Sequence, residues 1–180
     1  RAGDVLVLGK PLGVGVYSAA LKKERLDAAG YAQMIASTTK LNTPGRTLSD
    51  LPGVHALTDV TGFGLLGHLL EICRGARVGA SIAMADVPLL PGVAELAAQG
   101  FITGASGRNW AGYGRDVELD AVSDVQRALL TDPQTSGGLL VACAPDTVDA
   151  VLQQFRAEGF DAAAVIGRLE AGAPRVRVRG

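Results

Sequence analysis

The chain has 180 residues, enough for one domain that buries roughly 70% of the surface its unfolded form exposes, and its 48% hydrophobic content needs no disulfide staples. Seventeen basic and eighteen acidic residues leave a net charge of −1, which argues against nucleic acid or an anionic membrane as partner. No stretch approaches the roughly 20 apolar residues that cross a bilayer, and the two cysteines, Cys73 and Cys143, form no Cys-x-x-Cys zinc pair.

Both cysteines lie in apolar runs and are expected to be buried thiols, as suits a reducing cytosol. No signal peptide is read at the start, so a cytoplasmic protein is expected. An opening Arg1-Ala2-Gly3 without Met is expected of a fragment or a processed product.

In chain order, Asp4 to Leu8 is rich in Val and Leu and predicts a strand, broken by Lys10-Pro11-Leu12-Gly13. Helices are expected from Gly15 to Arg25 and from Asp27 to Thr39, the second capped by Asp27. A weaker helix follows Thr43-Pro44-Gly45 as far as Asp50. His55 to Val60 reads as a strand. Gly62 to Gly75 then reads as a helix, with Leu65, Leu66, Leu69, Leu70 and Cys73 at helical spacing. A short strand, Ala80 to Met84, precedes a helix from Pro91 to Gln99 that Gly100 ends. Phe101 to Gly114, rich in Gly, Ser and Asn, is expected to be a long mobile loop.

A helix from Ser123 to Leu130, capped by Ser123, leads through the turn Asp132 to Gly138 into a strand, Leu139 to Cys143. Pro145 to Glu158 is a helix ended by Gly159, and Ala162 to Leu169 and Arg175 to Arg179 are strands. Alternation of Arg175, Arg177 and Arg179 with Val176 and Val178 predicts a solvated edge strand. The expected fold is an α+β sandwich, a mixed sheet with helices packed on one face.

Three segments are candidate sites. Val60-Thr61-Gly62-Phe63-Gly64-Leu65-Leu66-Gly67 contains G-x-G-x-x-G between a strand and a helix, with Asp86 twenty-four residues after Gly62. That imitates a dinucleotide-binding unit. Against it, Asp59 at the strand end would repel a pyrophosphate, and no further βαβ pattern follows. Two other readings remain. Gly62, Gly64 and Gly67 serve a tight turn and close helix packing. Alternatively, Thr58, Asp59 and Thr61 place a carboxylate and two hydroxyls at a strand end before a helix N-terminus, where Asp59 can give oxygen to Mg²⁺ and backbone N–H groups can meet an anion.

The second segment, Thr131 to Gly138, joins an Asp-Pro turn to Gly-Gly. Thr135, Ser136 and Gly137 are its candidates for cradling a phosphate or holding a neighbouring segment, against a plain structural turn. The third is Lys10 before a glycine-rich turn, either an anion contact or a solvated lysine. His55 and His68 are lone histidines with surface or packing roles, and spacing assembles no Ser-His-Asp set.

Taken in order, Gly3-Asp4-Val5-Leu6-Val7-Leu8-Gly9-Lys10-Pro11-Leu12-Gly13, then Thr58-Asp59-Val60-Thr61-Gly62-Phe63-Gly64-Leu65-Leu66-Gly67-His68, then Asp132-Pro133-Gln134-Thr135-Ser136-Gly137-Gly138-Leu139-Leu140 resemble the C-terminal half of the selenophosphate synthetases, or selenide, water dikinases. Arg108-Asn109 is similar to that family as well. The resemblance implies the C-terminal fold shared with aminoimidazole ribonucleotide synthetase-like enzymes. It implies residues 1–13 as interdomain connection and first strand, and residues 14–180 as the C-terminal domain. The family's ATP-binding N-terminal domain, its reactive Cys or selenocysteine with a companion Lys, and its dimer interface would lie outside this chain. The implied reaction turns ATP, selenide and water into selenophosphate, AMP and phosphate with Mg²⁺. Asp59 would join N-domain aspartates around that ion, and this chain alone would be inactive. Gly9 departs from the family's usual Thr and removes a hydroxyl. The alternatives are a related hydrogenase-maturation or thiamine-phosphate kinase-like protein, and a non-catalytic binding or oligomerisation module.

Overall fold

Two unbroken apolar runs form the centre of the molecule. In a computed structural model describing residues 1–180, Val5–Leu8 (β1) pairs antiparallel with Leu139–Cys143 (β5), Val5 opposite Cys143 and Leu8 opposite Leu140. Leu6, Leu8, Leu140 and Ala142 face a large core, while Val7, Val141 and Cys143 face a smaller one. Strands covered on both faces have no polar side, so neither segment alternates in sequence.

Five further strands are Val54–Asp59 (β2), Gly79–Ala83 (β3), Val117–Asp120 (β4), Ala164–Glu170 (β6) and Val176–Arg179 (β7). The seven form one sheet in the order β2-β5-β1-β6-β3-β7-β4. It is antiparallel from β2 to β3 and parallel where β7 meets β3 and β4. The mixed sheet of an α+β fold is thus present. Residues 1–13 contribute β1 to its interior.

The helices are Val14–Leu21 (α1), Ala28–Thr39 (α2), Pro44–Asp50 (α3), Gly64–Ala76 (α4), Val93–Ala98 (α5), Gly104–Tyr113 (α6), Asp124–Leu130 (α7) and Val148–Ala157 (α8). α1, α4, α5 and α7 deliver Tyr17, Leu65, Leu66, Leu69, Leu70, Val93, Leu129 and Leu130 to the large core. A smaller second layer, α3 and α8, sets Leu48, Val151 and Phe155 against the opposite face at β1 and β5. The helices therefore lie mainly on one face, with the other covered only locally.

Local chemistry sets the element ends as expected in several places. Asp27 caps α2 by accepting from the Gly30 N–H at 2.7 Å, and Ser123 forms a reciprocal capping box with Gln126 on α7. Gly159, at φ +75, ends α8. Both cysteines are buried and free, and burial pushes each thiol up to about 11, which leaves them unreactive at neutral pH.

Two expectations are corrected. Residues 104–113 form α6 rather than a mobile loop. Thr103 caps it through the Ser106 N–H, Ser106 bonds Thr131 at 2.7 Å, and Asn109 and Tyr113 bond the backbone of the loop before α4. These tertiary bonds compensate for low helix propensity and few apolar residues. Second, β7 lies inside the sheet between β3 and β4. Its arginines are exposed because that face carries no helix, and Arg175 and Arg177 pair with Glu118 of β4.

Candidate functional site

The three segments singled out in the sequence meet at one end of β2, β5 and β1, and the turn 132–138 joins the other two. Gln134 Oε1 accepts from the N–H groups of Gly13 and Val14, and Asp132 Oδ2 accepts from those of Gly15 and Val16 at 2.9 and 3.2 Å. Two side chains thus satisfy the free donors at the start of α1, which has no cap of its own. On the other side, Gln134 N–H donates to Thr61 O, and Val60 N–H donates to Gly138 O. A Cβ at Gly137 would stand 2.0 Å from Val60 O, and one at Gly138 would stand 2.3 Å from Lys10 N. Gly-Gly is there because two backbones approach too closely for any side chain.

Asp132 is fully buried, and Oδ1 has no hydrogen-bond partner. Burial pushes its carboxyl up to about 7, against the pull of its three N–H donors. Lys10 is neither solvated nor turned toward an anion. It is 3% exposed, and its Nζ donates to the carbonyls of Ser37, Lys40 and Ser136 at 3.1, 2.7 and 2.7 Å. An ammonium has three protons, and all three are committed to the backbone. Burial lowers its pKa, with the Lys40 charge adding to that.

The remaining candidates lie at the rim. Thr58 is half-buried on β2. Asp59 ends that edge strand with an exposed carboxylate that takes no hydrogen-bond or ion-pair partner. Gly62, Thr135 and Ser136 are exposed, and Ser136 adopts φ +49. No group of three or more His, Cys, Asp or Glu is placed to hold a metal ion. Asp59 therefore fits a divalent cation as one oxygen ligand whose companions must come from outside these residues.

Two of the three G-x-G-x-x-G glycines have packing reasons, whereas a Cβ at Gly62 would meet nothing within 4 Å. Gly64 has φ +69, and a Cβ there would meet the Thr131 backbone at 2.7 Å. A Cβ at Gly67 would meet Phe63 Cβ at 2.5 Å. A dinucleotide unit needs its two strands adjacent or nearly so. Here β5, β1 and β6 stand between β2 and β3, so the strand bearing Asp59 and the strand leading to Asp86 are far apart in the sheet.

Sequence spacing sets His68 near Glu71 on one helix but missed the line that the two form with Thr61 behind this rim. His68 Nε2 lies 3.1 Å from Thr61 Oγ1, and His68 Nδ1 lies 2.9 Å from Glu71 Oε2. The signal was present as Thr61, His68 and Glu71 at offsets of seven and three, which a helix start brings together. Next to it, Phe63, Glu71, Arg74, Arg108, Asn109 and Arg115 are among the residues that line a cleft of about 540 Å³. His55 lies elsewhere, bonded to the buried Asp4 carboxylate at 2.9 Å.

Residues 1–179 match the family described as AIR synthase related protein, C-terminal domain, and the chain belongs to that family. Among individual proteins it is similar to the selenide, water dikinase of Burkholderia ambifaria (strain MC40-6), 69% identical over 179 residues, which is 99% of this chain and 51% of that one. The enzyme of the same name from Pseudomonas straminea is 67% identical over 99% of this chain and 50% of its own length. The chain thus spans about half the length of the curated relatives it matches. Its fold is that of the Escherichia coli HypE crystal structure, with a TM-score of 0.71 at 23% identity over 100% of this chain and 47% of that one.

Proposed function

We propose that this chain is the C-terminal half of an enzyme that makes selenophosphate, AMP and phosphate from ATP, selenide and water. The observation that carries the reading is 69% identity to a selenide, water dikinase over 179 residues.

The division of labour follows from the residues present. The rim offers one free carboxylate, Asp59, at a strand end, and the chain has neither a reactive thiol nor a metal-ligand cluster. Asp59 would hold Mg²⁺ together with carboxylates of the preceding half, and the ion would neutralise phosphate charge during transfer. The rim of exposed Asp59, Gly62, Thr135 and Ser136, with half-buried Thr58 and Thr61 beside them, would face that half, with ATP and selenide between them. In this reading the complete enzyme is a cytoplasmic homodimer that engages neither nucleic acid nor membrane. No helix here is long and apolar enough to cross a membrane. Lys10 and Gly137 support this rim from behind by holding the turn 132–138.

The test is a chimera in which this chain follows the matching N-terminal half of the Burkholderia ambifaria relative. Given ATP, selenide and Mg²⁺, it is expected to yield selenophosphate, AMP and phosphate by phosphorus NMR. A folded chimera that consumes no ATP in a selenide-dependent way overturns the reading.

A further inference from the structure

We infer that His68 is a positioning residue: it holds the hydroxyl proton of Thr61, so that Thr61 meets whatever occupies the rim with oxygen lone pairs only. For the nature of the occupant this rests on the function proposed above. For the hydroxyl it rests on geometry alone.

Glu71 Oε2 stands 2.9 Å from His68 Nδ1, and an ionised carboxylate only accepts hydrogen bonds. Nδ1 therefore carries a proton. In a neutral imidazole the other nitrogen is then an acceptor. Nε2 is 3.1 Å from Thr61 Oγ1, which makes Thr61 the donor. The imidazole is only 7% exposed, so leaving either nitrogen unpaired would carry a desolvation cost, and this arrangement pairs both.

The surroundings hold the ring in place. The Phe63 ring lies 5.7 Å from the imidazole centroid, and the Phe63 carbonyl is itself fixed by the Tyr113 hydroxyl at 2.6 Å. Asn109 Nδ2 holds the Gly62 carbonyl at 2.9 Å, so α6 ties the loop carrying Thr61 at two consecutive carbonyls.

A hydroxyl has one proton, and that of Thr61 is spent inward. A phosphate oxygen at Thr61 Oγ1 would meet lone pairs and find no donor. The complementary occupant is a hydrogen-bond donor, such as a water carried by a divalent cation two residues from Asp59. Thr61 is thus an acceptor beside the carboxylate rather than part of a phosphate cradle.

The chain has two histidines, which makes the imidazole nitrogens assignable after labelling histidine with ¹⁵N. At pH 8 the expected spectrum of His68 is the neutral tautomer protonated at Nδ1, with the Nε2 resonance moving when Thr61→Val removes the donor. Glu71→Gln, on the exposed end of the line, is expected to weaken the Nδ1–H preference. An Nε2–H tautomer, an imidazolium, or an Nε2 signal indifferent to Thr61→Val overturns the inference.

In the chimera, His68→Asn and Thr61→Val are expected to lower kcat about five- to tenfold, the scale of one hydrogen bond, with little change in KM for ATP. Thr61→Ser, which keeps the hydroxyl, is expected to retain wild-type turnover. Wild-type kcat in a folded His68→Asn chimera overturns the positioning role. If the unaltered chimera has no turnover, the proposed function fails, and the histidine spectrum still decides the direction of the Thr61 proton.

Discussion

Asp59, Asp132 and Gly9 show how differently single residues are constrained here. Asp59 is exposed and unpartnered at the end of an edge strand, so its replacement should cost function rather than stability. In the chimera, Asp59→Asn is expected to raise the Mg²⁺ needed for half-maximal turnover at least about tenfold. The folding free energy should change by no more than about 0.5 kcal/mol. Turnover against Mg²⁺ concentration and paired thermal melts measure the two effects.

Asp132 is the reverse case, buried with its carboxyl at about 7 instead of the usual 3.8. Because the folded-state value is the higher, its contribution is fully present below about pH 4 and is lost as pH rises through about 7. Relative to Asp132→Asn, which does not ionise, wild-type stability is expected to fall across that window by on the order of 2–4 kcal/mol. Melting curves of both proteins from pH 4 to pH 8 test this, and parallel curves would mean that the carboxyl is ionised throughout. Gly9 is fixed by a neighbour: a Cβ there would stand 2.5 Å from Phe155 Cε1. The hydroxyl-bearing Gly9→Thr is therefore expected to destabilise by about 1–3 kcal/mol through overpacking. Phe155→Leu should relieve part of that, a coupling that a double-mutant melt reads directly.

At the scale of elements, α1 and α6 depend on bonds from elsewhere in the chain. α1 has no side-chain cap of its own and takes Asp132 and Gln134 from a turn more than a hundred residues later. α6 is short of core-forming residues and is held by Ser106, Asn109 and Tyr113. If those bonds order α6, its amides should exchange slowly. Asn109→Ala, which frees the Gly62 and Thr131 carbonyls, should raise exchange in both α6 and residues 61–64 while leaving β5 protected. Hydrogen exchange by mass spectrometry resolves these segments, and fast exchange across α6 in the unaltered protein would contradict the account.

For the whole molecule, the turn 132–138 is the junction of the site. It caps α1, carries the Ser136 carbonyl to Lys10, and lies against Val60 and Thr61. Yet the assembled rim holds one free carboxylate and no metal cluster. The 180-residue chain by itself is therefore expected to show no selenide-dependent AMP formation above a buffer control, whereas the chimera should. Activity of the isolated chain would mean that the machinery is complete here.

Residue order alone determined the elements whose physics is local. The strand Leu139–Cys143, the caps at Asp27 and Ser123 and the buried leucines of α4 follow from runs, hydroxyls and spacing that act within a few residues. The same is true of the three glycine-marked segments, because close approach of backbone leaves a compositional trace. Tertiary structure decided what those segments do. Whether Lys10 meets solvent, anion or carbonyl depends on Ser37, Lys40 and Ser136, and whether β7 is an edge depends on β4, a strand of four residues with weak patterning. The choice between a dinucleotide unit and a packing turn depended on which strands lie between β2 and β3. Long-range pairing is set by the summed burial of two cores, a quantity that no local window of sequence contains.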